Sequence, residues 1–275
     1  MKSFRQGILI ALAVVMIAVS VILILLNQGV KGEATVSETE SFTGTIEKLI
    51  FQAGACEIEI REGGSGEVTL QYQGMRAKDI SANLENGTLK IKSTYKSGWS
   101  LGRLIRIGRK KDEAKICLTV PKDMVLKEAV LEFGAAEVTV ERIAAEDLTL
   151  TIGAGEVDAQ YLAGSRSAKI SVGAGSLKAD QVSLKDADLN CGVGEMKLSG
   201  EILGDSTVDC GVGEVEIAMT VAEEAYRGKL SCGLGSLKFG KISVDGSGKR
   251  EYGTSSAENR MDIKCGVGEV EVWFQ

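Results

Sequence analysis

A chain of 275 residues with 34 glycines, one proline and 5% aromatic residues reads as short strands and tight turns rather than helices. Its formal charge of −6 excludes a general nucleic-acid binder. Histidine is absent, which removes the commonest general base, the commonest zinc ligand and the usual partner of a nucleophilic serine or cysteine.

Ile8 to Leu26, ILIALAVVMIAVSVILILL, is nineteen residues without a charge. At about 1.5 Å per residue it nearly spans a hydrocarbon core of roughly 30 Å. Lys2 and Arg5 precede it, so residues 1–7 are expected in the cytoplasm and the long C-terminal part outside the cell. The run ends in Leu25-Leu26-Asn27-Gln28 instead of a small-residue cleavage site, which favours a retained single-pass anchor at 8–26 over a cleaved signal peptide. Residues 27–45 are polar and aperiodic, and are expected as a flexible linker.

Residues 46–275 are expected to form one strand-repeat domain. Its first part carries IEKLIFQAGACEIEI, EVTLQYQG and ISANLENGTLKIKS, the last a hairpin with Asn86-Gly87 at its turn. Between Gly98 and Asp112, GWSLGRLIRIGRKKD interleaves Arg103, Arg106, Arg109, Lys110 and Lys111 with Trp99 and aliphatic residues. Two readings stay open for it: contact with lipid head groups or an anionic envelope polymer, and a solvated loop between strands. ICLTVPKD, from Ile116 to Asp123, holds the only proline and marks the passage from irregular to regular rungs.

From Phe133 the chain repeats an apolar-Gly-(Ala/Val/Leu)-Gly-(Glu/Ser)-apolar unit: FGAAEV at Phe133, IGAGEV at Ile152, VGAGSL at Val172, CGVGEM at Cys191, CGVGEV at Cys210, CGLGSL at Cys232 and CGVGEV at Cys265. AGACEI at Ala53 is an outlying relative. Successive copies begin 19, 20, 19, 19, 22 and 33 residues apart. Such spacing predicts an all-β fold, a β-solenoid of rungs about 19–20 residues long in which no unit closes a core alone. Alternation places Leu148, Leu150, Ile152, Ala168, Ile170, Val172, Ala187, Leu189, Cys191, Met261, Ile263 and Cys265 inside before the bend. After it come Val157, Ala159, Leu177, Ala179, Met196, Leu198, Val215, Ile217, Leu237, Phe239, Val270 and Val272. The glycines are expected at the bend because it needs positive φ or close backbone approach, and EVEVWF, Glu269 to Phe274, is expected to plug the open end.

Cys191, Cys210, Cys232 and Cys265 occupy the slot that Phe133, Ile152 and Val172 hold in earlier units, so they read as small buried apolar groups. Four sulfurs spread over roughly 14 Å do not make a tetrahedral zinc site; no metal, cofactor or catalytic residue is assigned. Glu156, Glu195, Glu214 and Glu269, interleaved with Ser176 and Ser236, form an outward acidic file, read as solubilising charge rather than a calcium site.

SFTGTIEKLIFQAGACEIEI, ENGTLKIKS, ICLTVPKD and the GAGEV-like run together resemble the DUF4097-like bacterial β-strand-repeat family, whose members are described as candidate adhesins and are often tethered by one N-terminal helix. The resemblance covers about residues 42 to 275 and implies a β-solenoid at the cell envelope. Cysteine in place of aliphatic residues and the insertion from Lys241 to Arg260 depart from the family pattern. The expectation is a non-enzymatic, membrane-anchored binding or adhesion module, its partner an envelope polymer or a host or neighbouring-cell surface. The alternative is an envelope-stress or signalling accessory that contacts a membrane sensor. Acidic residues dispersed one per rung, without a convergent cluster, argue against a polysaccharide-acting enzyme.

Overall fold

The computed structural model describes residues 36–64, 66–94 and 114–275. The Ile8–Leu26 run and the basic stretch with Trp99, Arg103, Arg106, Arg109, Lys110 and Lys111 lie outside the described residues. Among the described residues no helix is long and apolar enough to cross a membrane.

The domain begins with β1 (Val36–Phe42), β2 (Lys48–Ala53), β3 (Glu57–Gly63), β4 (Val68–Met75), β5 (Ile80–Glu85) and β6 (Thr88–Ser93). β1 pairs antiparallel with β4 along its length, and Tyr72 Oη donates to Glu38 Oε2 at 2.6 Å. Residues 36–42 are therefore part of the domain and not of the linker expected over 27–45. Their composition conceals the strand because only Val36 and Phe42 pack on the core; pairing with a neighbour supplies the rest. β5 and β6 are the expected hairpin, with Glu85 opposite Thr88 and φ of 50° and 73° at Asn86 and Gly87, the left-handed pair of a type I′ turn.

Next come β7 (Lys115–Pro121), β8 (Leu126–Phe133), β9 (Glu137–Ile152), β10 (Glu156–Val172), β11 (Ser176–Lys185), β12 (Ala187–Cys191), β13 (Glu195–Leu203), β14 (Asp205–Cys210) and β15 (Glu214–Met219). From β8 to β13 each strand pairs in parallel with its counterpart one repeat later. Ile152, Val172, Cys191 and Cys210 are successive partners before the bend, and Val138, Val157, Leu177, Met196 and Val215 after it. AGACEI is a true rung, since Ala53 pairs with Phe133 and Ile58 with Val138. The return of each coil, read from sequence only as a connection, is itself paired: 161–164 of β10 lies between 142–145 of β9 and 181–184 of β11. Small buried residues, Ala144, Ala145, Ala163 and Gly164, let the backbones turn this corner.

The chain closes with β16 (Tyr226–Cys232), β17 (Ser236–Phe239), β18 (Ile242–Asp245), β19 (Gly248–Tyr252), β20 (Asn259–Cys265) and β21 (Glu269–Phe274). Sequence order and spatial order part here. β20 pairs in parallel with both β14 and β16, and β21 with both β15 and β17. The last coil of the chain thus lies between the Cys210 and Cys232 coils, and EVEVWF is an interior strand instead of an end plug. The stack ends at β16 and β17, which are covered by antiparallel β19 and β18. The insertion from Lys241 to Arg260 builds this cover and leads the chain back by one rung. The first coil is interposed in the same way, β2 between β6 and β8 and β3 between β7 and β9. Interposing a coil pairs both its edges and leaves short, charged strands such as β19, with Lys249, Arg250 and Glu251, at the rim.

Every residue assigned above to the interior by alternation is buried. Phe51 and Phe133 meet edge to face at 5.6 Å near the first coils, and Phe239 packs against Tyr252 and Phe274 at 4.2 and 5.1 Å near the last.

Candidate functional site

The Gly-X-Gly bends stack as regularly as the strands. Gly192, Val193 and Glu195 donate backbone N–H groups to Val172, Gly173 and Gly175 at 2.8, 2.8 and 3.0 Å. The next two bends in space, 211–214 and 266–269, repeat the pattern on the bend before them, and 233–236 then bonds to 265–268. None of the repeat glycines has positive φ, so the close-approach reading holds. A Cβ on Gly194, Gly213, Gly268 or Gly235 would fall on the carbonyl oxygen of the adjoining bend.

Because the bend has no side chains on its glycines, the X residue stands alone on the outside. It is alanine at 135, 154 and 174 and becomes Val193, Val212, Val267 and Leu234 in spatial order, with exposures of 67, 58, 57 and 80%. These are four of the five exposed large apolar residues among the described residues, so their alignment on consecutive rungs is a feature and not scatter. Beside this rail runs the acidic file, in register as Glu57, Glu137, Glu156, Ser176, Glu195, Glu214, Glu269 and Ser236. Val193, Val212 and Val267 of the rail, the glycine floor and the file from Glu137 to Ser236 line an open groove of about 960 Å³.

The file is only partly neutralised. Lys197 reaches Glu195 at 2.6 Å and Glu216 at 3.3 Å, and Lys115 bridges Glu57 and Glu59. The Glu214 carboxyl is pushed above its usual range, first by its hydrogen bond with Glu216, then by desolvation and carboxylate charge, with Lys197 opposing. Among the described residues no group of three or more Cys, Asp or Glu is placed to hold a metal ion.

The cysteine column runs Cys191, Cys210, Cys265, Cys232, all free and buried. Cys191, Cys210 and Cys265 donate Sγ–H to the carbonyls of Gly194, Gly213 and Gly268 at 3.1, 3.2 and 3.1 Å. Cysteine therefore adds to an aliphatic slot residue one weak donor for a bend carbonyl. Burial pushes the Cys191 thiol up to about 11 and that of Cys265 up to about 12, from an ordinary value of 9.0. A raised thiol contributes stability that is complete below the unfolded-chain value and is lost as pH climbs through 11 to 12. Alkaline melting should therefore show that loss, and a variant carrying Cys191→Val, Cys210→Val and Cys265→Val, the residue already present at 172, should be less sensitive. In the native protein at pH 8 a disulfide reagent should label these thiols at least about a hundredfold more slowly than in denaturant. Equal alkaline profiles for the two proteins, or rapid native labelling, would contradict the buried column.

Sequence reasoning found the acidic file from Glu156 onward and the cysteine slot. It missed the extension of the file through Glu137 and Glu57, and it did not single out the apolar rail. The signal for the rail was present in the change from Ala to Val or Leu at the X position.

A repeated-strand fold whose outer bend presents an apolar rail beside carboxylates defines a class of repeat protein. The Toastrack DUF4097 family matches residues 46–265, and the chain belongs to that family. Among solved structures it is similar to a candidate adhesin from Parabacteroides merdae, at 11% identity and a TM-score of 0.46 over 88% of this chain and 97% of the other. It is also similar to a candidate adhesin from Bacteroides fragilis, at 19% identity and 0.38 over 88% and 98%. A candidate cell adhesion protein from Clostridium sporogenes aligns at 14% identity and 0.36 over 87% and 100%. No curated protein matches.

Proposed function

We propose that this chain is a non-enzymatic β-solenoid binding module, an adhesin in the broad sense, held at the outer face of the cell membrane by a helix over residues 8–26. In this reading residues 1–7 are cytoplasmic and the strand-repeat domain projects outward to meet an envelope polymer or the surface of another cell. One observation carries it: Val193, Val212, Val267 and Leu234 lie exposed in single file beside in-register glutamates. Repetition at about 4.8 Å multiplies weak contacts with a repetitive or elongated partner. The basic stretch around Trp99, Arg103, Arg106, Arg109, Lys110 and Lys111 would serve as a second contact, with lipid head groups or an anionic polymer.

Cells displaying the full-length chain should adhere to at least one of envelope glycans, matrix or other cells. Replacing Val212, Val267 and Leu234 together by Ser should reduce retention about tenfold, from lost apolar burial at three exposed positions. Adhesion that is absent throughout, or indifferent to these changes, would remove the reading. If attachment is unchanged in a deletion strain while its response to cell-wall antibiotics alters, the groove belongs to contact with a membrane sensor.

A further inference from the structure

Granting the groove its binding role, on which this step rests, we infer that its partner is a basic amphipathic helix of about three turns lying along the rail. Spacing decides between helix and strand. The four rail residues stand on consecutive rungs, at about 0, 4.8, 9.6 and 14.4 Å along the stack. A helix presenting positions i, i+3, i+7 and i+10 places them at about 0, 4.5, 10.5 and 15 Å, within roughly 1 Å of every rung. An extended strand repeats its face every 6.8 Å or so and is about 2 Å out of step by the first rung. The helix therefore sets one apolar side chain against each X residue, the groove mode of helix recognition.

Charge decides the polar face. Glu195, Glu214 and Glu269 follow one another at rung spacing, with Glu216 and Glu271 two residues further along their strands. The cations paired with this cluster are Lys197, on Glu195 and Glu216, and Lys238, on Glu271. Adjacent carboxylates repel, and a Lys or Arg on each turn of a ligand helix would relieve that repulsion. An anionic polymer would meet the same file as repulsion. Among the described residues no aromatic ring lines the groove to stack on sugar faces.

The test uses the full-length chain and a labelled peptide of about fourteen residues with Leu at i, i+3, i+7 and i+10 flanked by Lys. Fluorescence anisotropy at low salt should show binding, accompanied by a gain in peptide helicity. A scrambled peptide of equal composition and a Glu-for-Lys version should not bind. Val212→Ser with Val267→Ser, and separately Glu214→Gln with Glu269→Gln, should each weaken binding about tenfold; these side chains are exposed, and unchanged melting would verify the fold. Equal binding of the scramble, or affinity untouched by both pairs of changes, overturns the inference. So does binding of dextran sulfate or of vesicles containing anionic lipid that is weakened by Val212→Ser with Val267→Ser, because contact through the basic stretch would not depend on those residues. If no peptide binds but Val212→Ser with Val267→Ser still abolishes cell attachment, the groove keeps its role and only the helix class fails. If attachment is also unaffected, both fail.

Discussion

Gly268→Ala is expected to destabilise the domain by about 3 kcal/mol, near the upper end for overpacking in a filled interior. The added methyl would meet Gly213 of the adjoining coil, whose C and N atoms lie 2.9 and 3.0 Å from its position and whose carbonyl oxygen is nearer still. Nothing in that contact is a flexible side chain, so the strain falls on two backbones that also carry the bond from Glu269 N–H to Gly213 O at 3.0 Å. The interposed coil must shift away from β14 and β15, and a melting temperature roughly 10 °C lower should follow at this chain length. Gly64→Ala is the control, because nothing lies within 4 Å of its Cβ position and its φ is not positive. That change should stay within about 0.5 kcal/mol. Similar melting of the two variants would show that the bends are not packed backbone against backbone.

Phe239→Ala is expected to cost about 3–5 kcal/mol, the range for truncating a buried aromatic residue. The ring is fully buried between the terminal coil and its cover, 4.2 Å from Tyr252, 5.1 Å from Phe274 and 6.4 Å from Tyr226, centroid to centroid. Tyr252 and Tyr226 are fixed by hydroxyl bonds to the carbonyls of Met261 and Ile202, at 2.7 and 2.9 Å, so they cannot swing freely into the void. In a stack whose coils touch only their neighbours the damage is local. Hydrogen exchange should accelerate in β16 to β19 while β2 and β8, around Phe51 and Phe133, keep their protection. Uniform loss across the chain would mean that the two ends are one cooperative unit.

Much of this arrangement was legible because each rung writes the same pattern. Alternation alone placed Leu189, Met196 and Val215 inside, and Asn86-Gly87 named its own turn type. Cysteine in the Val172 slot was readable as an aliphatic substitute, and its bond to a bend carbonyl was the new element. The threading of the ends was not legible. The Cys265 coil is as good a match to the repeat as the Cys210 coil, and periodicity says which residues face inward without saying which coil neighbours which. Only the 33-residue spacing before Cys265 hinted that the chain has room to double back. β1 stayed hidden for a related reason: an edge strand stabilised by pairing needs little apolar content. The rail escaped notice because an exposed valine is unremarkable singly, and it becomes a site only when Val212, Val267 and Leu234 are known to be consecutive in space.

That order is open to a direct measurement. Single-cysteine substitutions at exposed X positions can be combined in pairs and treated with a short bis-thiol crosslinker, the native thiols being shielded in their column. Adjacent rungs are about 4.8 Å apart and alternate rungs about twice that. The structure predicts rapid crosslinking for Val212→Cys with Val267→Cys and for Val267→Cys with Leu234→Cys, and little for Val212→Cys with Leu234→Cys. Efficient crosslinking of the 212/234 pair, with the 212/267 pair unreactive, would mean that the coils stack in chain order and that the groove as described does not exist.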